Sequence, residues 1–253
     1  YARRLLATAQ VRQQRTAEAL ATLKPLLDAK ALGAPTLMLA GDIYRASGDP
    51  QRAADYYAQA ARLQPANTRA QTSMALAHLA SGKASSALGE LRAAAATEAG
   101  VGPDLALITA HLERGEMPQA LAAIDALQKK LPGSPLADNL RGRALLGTRD
   151  LIGARKNFDA ALALAPDYFP AIDGLAAVDM FERKPEAARK RFTDLLARQP
   201  KHAGALLALA NLLTATGGDH AQSVAVLTWD AAAQPAAVAR RLPLVDVRLR
   251  ALN

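Results

Sequence analysis

The 253-residue chain contains no cysteine and only ten aromatic residues. Without cysteine there is no disulfide framework and no thiolate chemistry, and cysteine usage cannot indicate a compartment. No apolar run approaches the roughly 20 residues that a membrane-spanning helix needs, so we expect no transmembrane segment. Alanine and leucine dominate the apolar half of the composition and strand-type residues are scarce, which predicts thin, closely packed helices.

Catalytic motifs are also missing. The sequence has no His-Glu-x-x-His zinc motif, no Gly-x-Ser-x-Gly nucleophile turn and no Gly-Lys-Ser/Thr phosphate loop. Its four histidines are His78, His111, His202 and His220. His78 and His111 align with Tyr44 in the repeat described below, which predicts packing positions for both. We therefore predict no catalytic residue, no metal site, no cofactor and no enzyme activity.

The net charge of +8 is spread along the chain. Residues 1–134 carry 15 basic and 11 acidic side chains, and residues 135–253 carry 16 and 12. The densest basic stretch runs from Arg183 to Lys201, and no aromatic stacking platform accompanies it. This pattern favours a solvated helix face and disfavours nucleic acid as a partner.

A repeat organises the chain. The segment GDIYRASGDPQRAADYYAQAARLQP at 41–65 aligns with GRALLGTRDLIGARKNFDAALALAP at 142–166. Prolines mark the register at Pro65, Pro132, Pro166, Pro200 and Pro235, with Ala99 standing where one is missing. Because these spacings are 67, 34, 34 and 35 residues, the period is 34. Each unit has the pattern of two helices joined by a short turn.

Residues at the turns have specific predicted roles. Gly48 is expected to take the left-handed conformation that ends a helix, and Asp49 to cap the next helix through its side chain. Pro50 suits the first helical position, where no N–H is needed. Pro65 then prevents the second helix from continuing.

Small and large residues alternate in a fixed order within the repeat. The small positions, where two helices must approach, are Gly41, Ala75, Gly142, Ala176 and Ala210 on first helices and Ala53, Ala87, Ala120, Ala154 and Ala188 on second helices. The large positions one turn further along are Tyr57, Leu91, Ile124, Phe158, Phe192 and Leu227. We predict that the large residues fill the space between neighbouring helix pairs.

This order of small, aromatic and proline residues resembles the tetratricopeptide repeat (TPR). The resemblance implies an all-α, right-handed superhelical solenoid. We predict a single solenoid of about seven repeats, at 1–33, 34–67, 68–100, 101–134, 135–168, 169–202 and 203–237, followed by a final helix at 238–253. Departures from the pattern are Ile108 at a small position, an extra residue near Gly217 and Gly218, and Pro243 within the last helix.

First helices of such a solenoid line an extended groove that suits a peptide or a partner helix. By helical phase, the candidate groove residues are Met38, Asp42, Arg45, Arg69, Leu76, Leu79, Leu105, Thr109, Leu112, Asn139, Arg143, Asp173, Met180, Leu207, Asn211 and Thr214. Two interpretations stay open for the leucines, which either bind a partner or pack against the next repeat. No lysine falls on these faces, so the carboxylate clamp of chaperone-binding TPR modules is not expected. Arg45 and Arg69 are placed to hold an acidic side chain or a phosphate.

A more specific resemblance covers residues 139–212, from NLRGRALLGTRDLIGARKNFDAALALAP onward, with YARRLLA at the start and DLALITAHLERGEMPQALAAI from 104. These segments are similar to the PrsT-like TPR lipoproteins of bacterial exosortase (PEP-CTERM) systems. The resemblance implies a periplasmic, lipid-anchored protein of exopolysaccharide production or export, or of PEP-CTERM protein sorting. The chain starts at Tyr1, within a predicted helix, so we expect a fragment of a longer protein whose signal peptide, anchor or further repeats lie outside it.

Two classes of function follow from the sequence. The first is a non-catalytic scaffold that binds a protein or an extended peptide in the groove. The second is direct binding of an anionic polymer, acidic polysaccharide before nucleic acid, through the basic surface. A polymer site would favour stacked aromatic residues along the groove, whereas the only tryptophan, Trp229, falls on a second helix.

Overall fold

The computed structural model describes residues 1–29, 32–96 and 100–216, and the regular secondary structure of this part of the chain is helical, with no β-strand. The helices are α1 (Ala2–Arg12), α2 (Thr16–Leu27), α3 (Ala34–Ala46), α4 (Pro50–Leu63), α5 (Thr68–Ala80), α6 (Ala84–Ala95), α7 (Gly102–Glu113), α8 (Met117–Lys130), α9 (Pro135–Gly147), α10 (Leu151–Leu164), α11 (Phe169–Phe181), α12 (Pro185–Arg198) and α13 (Ala203–Ala215). The predicted all-α class is confirmed.

The described helices fall into two compact units, which divide between Lys130 and Leu131. Within each unit, helices that follow one another in sequence pack together, and first helices of successive pairs also meet, as α5 does with α7 and α9 with α11. The prediction of one seven-repeat solenoid stays a prediction. Its seventh second helix and its final helix, including Leu227, Trp229 and Pro243, lie outside the described residues.

The turn at residues 47–50 forms as the sequence predicts. Gly48 has a φ of +81°, in the left-handed region. The Asp49 carboxylate accepts a hydrogen bond from the Arg52 backbone N–H at 3.0 Å, and Pro50 is the first residue of α4. Helix α4 ends at Leu63, just before Pro65. Gly48, Asp49 and Pro50 therefore set the length of the linker and the start of the second helix.

Small residues face large ones across two of the helix pairs. A Cβ atom on Gly41 would lie 2.4 Å from a ring carbon of Tyr57, and one on Gly142 would lie 2.7 Å from the ring of Phe158. Five of the six predicted large residues lie within the described part and are buried: Tyr57, Leu91, Ile124, Phe158 and Phe192. Ile108, at a small position, is also buried.

No helix of the described part is both long enough and apolar enough to cross a bilayer.

Candidate functional site

The candidate groove residues differ in how far they reach the surface. Exposed members are Arg45, Arg69, Leu76, Thr109, Arg143, Asp173, Asn211 and Thr214; partly buried members are Asp42, Leu79, Leu105, Leu112, Met180 and Leu207; buried members are Met38 and Asn139. Met38 packs into the core with Tyr57 and Ala53, so it supports the groove from behind. Among the candidate leucines only Leu76 is exposed, at 41%. Its exposure favours contact with a partner over packing against the next repeat, whereas the exposure of the other leucines does not distinguish the two interpretations.

A polar cluster forms on the N-terminal unit around Asp42. Its carboxylate accepts a hydrogen bond from the Tyr57 hydroxyl at 2.7 Å and lies 3.5 Å from an Arg69 guanidinium nitrogen. Burial, together with the neighbouring Asp42, raises the pKa of the Tyr57 hydroxyl, and nearby Arg45 partly opposes this. The structure thus brings Asp42, Arg45 and Arg69 together, but Asp42 already supplies an anion to Arg69. This leaves less positive charge for a bound phosphate than the sequence suggested.

An open concavity lies on the C-terminal unit, between α11 and α13 and beside Phe192 of α12. It has a volume of about 420 Å³ and is lined by Phe169, Asp173, Ala176, Ala177, Met180, Phe192, Gly204, Leu207, Ala208, Asn211 and Leu212. We call this concavity the α11–α13 pocket. Four of the predicted groove residues, Asp173, Met180, Leu207 and Asn211, line it together. Its wall is otherwise aliphatic, aromatic or glycine, which is the usual composition of a pocket that takes an apolar group.

Among the described residues, Asp173 is the only acidic one that lines the α11–α13 pocket. It forms no salt bridge with any described residue. The surrounding protein atoms reduce hydration of its carboxylate and raise its pKa, and the positive charge of Arg143 on α9 partly offsets this effect. Arg143 acts in the same way on the Tyr168 hydroxyl, whose pKa is raised by burial. An exposed carboxylate that forms no salt bridge with a described residue therefore lines a mostly apolar pocket.

A buried ion cluster holds the helices that carry the pocket. Asp179 on α11 is 2% exposed, and its two oxygens accept hydrogen bonds from Arg155 of α10 and Arg191 of α12. Arg155 also lies 3.1 Å from Glu182, at the end of α11. Desolvation alone would raise the pKa of the Asp179 carboxyl, but the bonds from the two arginines outweigh it and keep that pKa low. One side chain thus links three consecutive helices.

Helix α13 is positioned by an uncommon cap. His202 Nδ1 accepts a hydrogen bond from the Ala205 backbone N–H at 3.0 Å, and the imidazole ring lies 4.9 Å from the centre of the Phe169 ring. Phe169 is the first residue of α11 and lines the pocket. The His202 ring therefore brings the start of α13 beside the start of α11, near the pocket residues Phe169 and Gly204.

A match to a family model decides the family. The model is described as tetratricopeptide repeat, and it matches residues 4–68, 38–103, 105–169 and 175–237. Together these matches cover most of the chain. The chain belongs to the tetratricopeptide-repeat family.

Several solved structures share the fold. A thermophilic TPR protein of Thermus thermophilus is 21% identical with a TM-score of 0.52, over 72% of this chain and 100% of the other. PilF of Pseudomonas aeruginosa is 14% identical with a TM-score of 0.54, over 81% and 93%. A chain of the APC/C hetero-tetramer Cut9–Hcn1 is 18% identical with a TM-score of 0.50; the match covers 92% of this chain but only 46% of that one. No curated protein matches the sequence.

Two histidines of this TPR chain, His78 and His111, each pair with a single carboxylate. His78 Nδ1 lies 2.9 Å from Glu90, and buried His111 Nδ1 lies 2.7 Å from Glu116. Both residues pack as predicted, while His220 lies outside the described residues. Among the residues that the structure describes, no three His, Asp or Glu side chains gather where they could hold a metal ion.

Ion pairs engage part of the basic stretch between Arg183 and Lys201. Of its seven cationic side chains, Lys184, Lys190, Arg191 and Arg198 pair with Glu182, Asp194, Asp179 and Asp167. Because binding of an anionic polymer depends on cations that can release counterions, this pairing weakens the case for a polymer site. We therefore propose no such site on this stretch.

Phe181 is an exposed aromatic residue that the sequence analysis did not identify. Phe181, at the end of α11, is 53% exposed, and the guanidinium carbon of Arg149 lies 5.9 Å from the centre of its ring. It follows Met180, a pocket residue, by one position. Its phase along α11 could have indicated a groove position, but an aromatic at a helix end is equally typical of the core.

Proposed function

We propose that this TPR chain is a non-catalytic scaffold that binds a peptide segment of a partner protein along its first helices. The observation that carries the proposal is the α11–α13 pocket, in which four side chains selected by helical phase line one concave surface. Each unit also has exposed groove positions of its own, Leu76 and Thr109 on α5 and α7 of the N-terminal unit and Arg143 on α9 of the C-terminal unit. Surfaces of this mixed character suit a peptide segment with both apolar and polar side chains.

The pathway is a proposal from sequence resemblance. Similarity of residues 139–212 to the TPR lipoproteins of exosortase systems favours a role in exopolysaccharide production or export, or in PEP-CTERM protein sorting. It also favours a periplasmic, lipid-anchored location. On this proposal the partner is a protein component of the envelope machinery, and the chain contributes binding without chemistry.

Site-specific photo-crosslinking tests the scaffold function and locates its surface. Benzoylphenylalanine is placed at exposed Thr109 or Asn211 on first helices, and at exposed Asp55 or Arg189 on second helices as matched controls. Each variant is irradiated in a lysate of the source organism that includes membranes. We expect a discrete crosslinked protein from the first-helix positions only, and an envelope polysaccharide component among the products.

Two outcomes would count against the proposal. Crosslinks from the second-helix positions alone would move the functional surface away from the groove. Absence of any crosslinked protein from all four positions would remove the scaffold function itself. A partner with no connection to the envelope would overturn only the proposed pathway.

A further inference from the structure

We infer that the α11–α13 pocket binds a segment of the partner that presents a large apolar side chain beside a lysine or arginine. This inference rests on the proposed function, because it names the chemistry of the peptide that the groove receives. It concerns the C-terminal unit alone.

The apolar half of the inference comes from the pocket wall. Its volume of about 420 Å³ lies within the range of known ligand pockets, about 300–1,000 Å³. Ala177 and Ala208 leave room between α11 and α13, while Met180 and Leu207 supply apolar contact surface. Methionine adapts its shape to different partners. A leucine, methionine or phenylalanine of the ligand therefore finds both space and apolar contacts here, and burying it removes apolar surface from water.

The cationic half comes from Asp173. Its exposed carboxylate lines the otherwise mostly apolar pocket, and no described cation lies within salt-bridge distance of it. An ammonium or guanidinium group of a ligand would supply a charge-assisted hydrogen bond that the free protein does not provide. An acidic ligand would instead meet like charge at an incompletely hydrated carboxylate, which disfavours binding.

The overall positive charge of the chain does not oppose binding of a cationic ligand group at Asp173. Charges separated by more than about 8 Å are largely screened at physiological ionic strength, so the nearest group decides the local preference. Arg143 is close enough to influence Asp173 but forms no salt bridge with it. It therefore contributes less than a direct contact between Asp173 and a ligand cation.

Phage selection of random dodecapeptides on the full chain tests the inference. We expect enriched peptides to combine a large apolar residue with lysine or arginine within about three positions. The selection is repeated with Asp173→Asn, with Ala177→Phe to fill the pocket, and with Asp159→Asn as a matched control. Asp159 is exposed on second helix α10. Circular dichroism with urea unfolding confirms that each variant is folded.

The variants separate the two halves of the inference. Asp173→Asn is expected to lose the basic preference, keep the apolar one, and weaken binding of a synthetic enriched peptide by about tenfold or more, as for loss of a charged hydrogen bond. Ala177→Phe is expected to lose both preferences, and Asp159→Asn neither. If Ala177→Phe is folded poorly, Leu207→Asn supplies a second test of the pocket.

Other results would overturn the inference. Enriched peptides with no basic residue, or with a basic preference that survives Asp173→Asn, would exclude Asp173 as the determinant. Peptides unaffected by either pocket variant would bind elsewhere. If a synthetic peptide of residues 217–253 displaced them from the pocket and no other peptide bound there, the occupant would be a segment of this chain. If benzoylphenylalanine at Thr109 still crosslinks to a partner, these results overturn only the inference about the pocket and leave the proposed scaffold function intact. Loss of the Thr109 crosslink would count against the scaffold function itself.

Discussion

The ring of Phe158 lies directly against the backbone of Gly174. A Cβ atom on Gly174 would be 2.4 Å from two ring carbons, Cε1 and Cζ, and one on Gly142 would be 2.7 Å from the same ring. Phe158 belongs to α10 and is fully buried, while the glycines belong to α9 and α11. A single aromatic ring therefore fills the space between a helix pair and the first helix of the next pair. The ring fits because Gly142 on α9 and Gly174 on α11 have no side chain.

Gly174→Ala should lower the free energy of unfolding by about 1–3 kcal/mol, the range for overpacking a well-filled core. Gly147→Ala is the matched control, because Gly147 is also in a helix of this unit but a Cβ there meets no heavy atom within 4 Å. That change should leave stability unchanged or raise it slightly. Urea unfolding followed by circular dichroism measures both. Equal midpoints for the two variants would show that the ring can move aside.

Gly48→Ala should destabilise the N-terminal unit by about 1 kcal/mol, because alanine is strained at a φ of +81°. Gly89→Ala should have the opposite sign and stabilise by about 0.5–1 kcal/mol, because Gly89 lies inside α6 with open space around it. Thermal unfolding of the two variants beside the wild type gives the comparison. A stabilised Gly48→Ala protein would contradict the turn geometry.

Much of this fold could be predicted because the repeat constrains it locally. Gly48, Asp49 and Pro50 act through their own backbone, so their roles follow from residue type. The pairing of Gly142 with Phe158 follows from the repeat register. Gly174 was missed, since it lies two positions before the small position at Ala176 and follows no repeat-wide pattern.

The candidate site could be predicted in part. Helical phase selected Asp173, Met180, Leu207 and Asn211, and these do line one pocket. Phase gives only direction, so it could not show that Asn139 is buried. It also could not show that Asp42 faces Arg69, because that contact joins side chains 27 positions apart in different repeats.

Asp179→Asn should destabilise the C-terminal unit by about 2–4 kcal/mol, somewhat below the range for a fully buried ion pair. The reason is that Arg155 and Arg191 lose their shared carboxylate but keep 30% and 28% side-chain exposure. Asp159→Asn, at an exposed position on α10, should have little effect. Urea unfolding at pH 7 measures the difference, and a loss no larger than that of Asp159→Asn would show that the cluster contributes little.

The same cluster predicts a dependence on pH. Despite desolvation, hydrogen bonds from Arg191 and Arg155 hold the folded-state pKa of Asp179 below its ordinary value. Its contribution to stability is therefore complete above about pH 4, the unfolded value, and is lost as the pH falls through the lower folded pKa. The stability gap between wild type and Asp179→Asn should shrink as the pH is lowered from about 5 to about 2. A constant gap would contradict the lowered pKa.

Lys130→Met should destabilise the N-terminal unit by roughly 2–4 kcal/mol, because breaking a buried ion pair leaves an unpaired charge. The Lys130 ammonium group donates to the Ala95 carbonyl at 3.2 Å, the Gly100 carbonyl at 2.9 Å and the Asp104 carboxylate at 2.8 Å. Asp104 is 4% exposed. The neighbouring Lys129→Met, at an exposed position, is the control. Equal thermal midpoints for the two variants would refute a structural role for Lys130.

Asp173→Asn should stabilise the folded chain at neutral pH while it weakens peptide binding. Desolvation raises the folded-state pKa of Asp173, so folding favours the protonated form. The resulting penalty is absent below the unfolded pKa and fully present once the pH has risen above the folded pKa. Relative to wild type, Asp173→Asn should therefore gain stability as the pH rises from about 3 to about 7.

Arg143→Gln serves as the complementary variant, because Arg143 partly offsets the penalty at Asp173. Its removal should lower stability at neutral pH and change it less in acid. Urea unfolding midpoints of the wild type, Asp173→Asn and Arg143→Gln, measured at about pH 3 and about pH 7, test both expectations. If Asp173→Asn is less stable than wild type at neutral pH, the carboxylate is a structural group. A gain in stability with a loss of peptide affinity would instead be the behaviour of a residue whose role is binding, because such residues commonly lower stability.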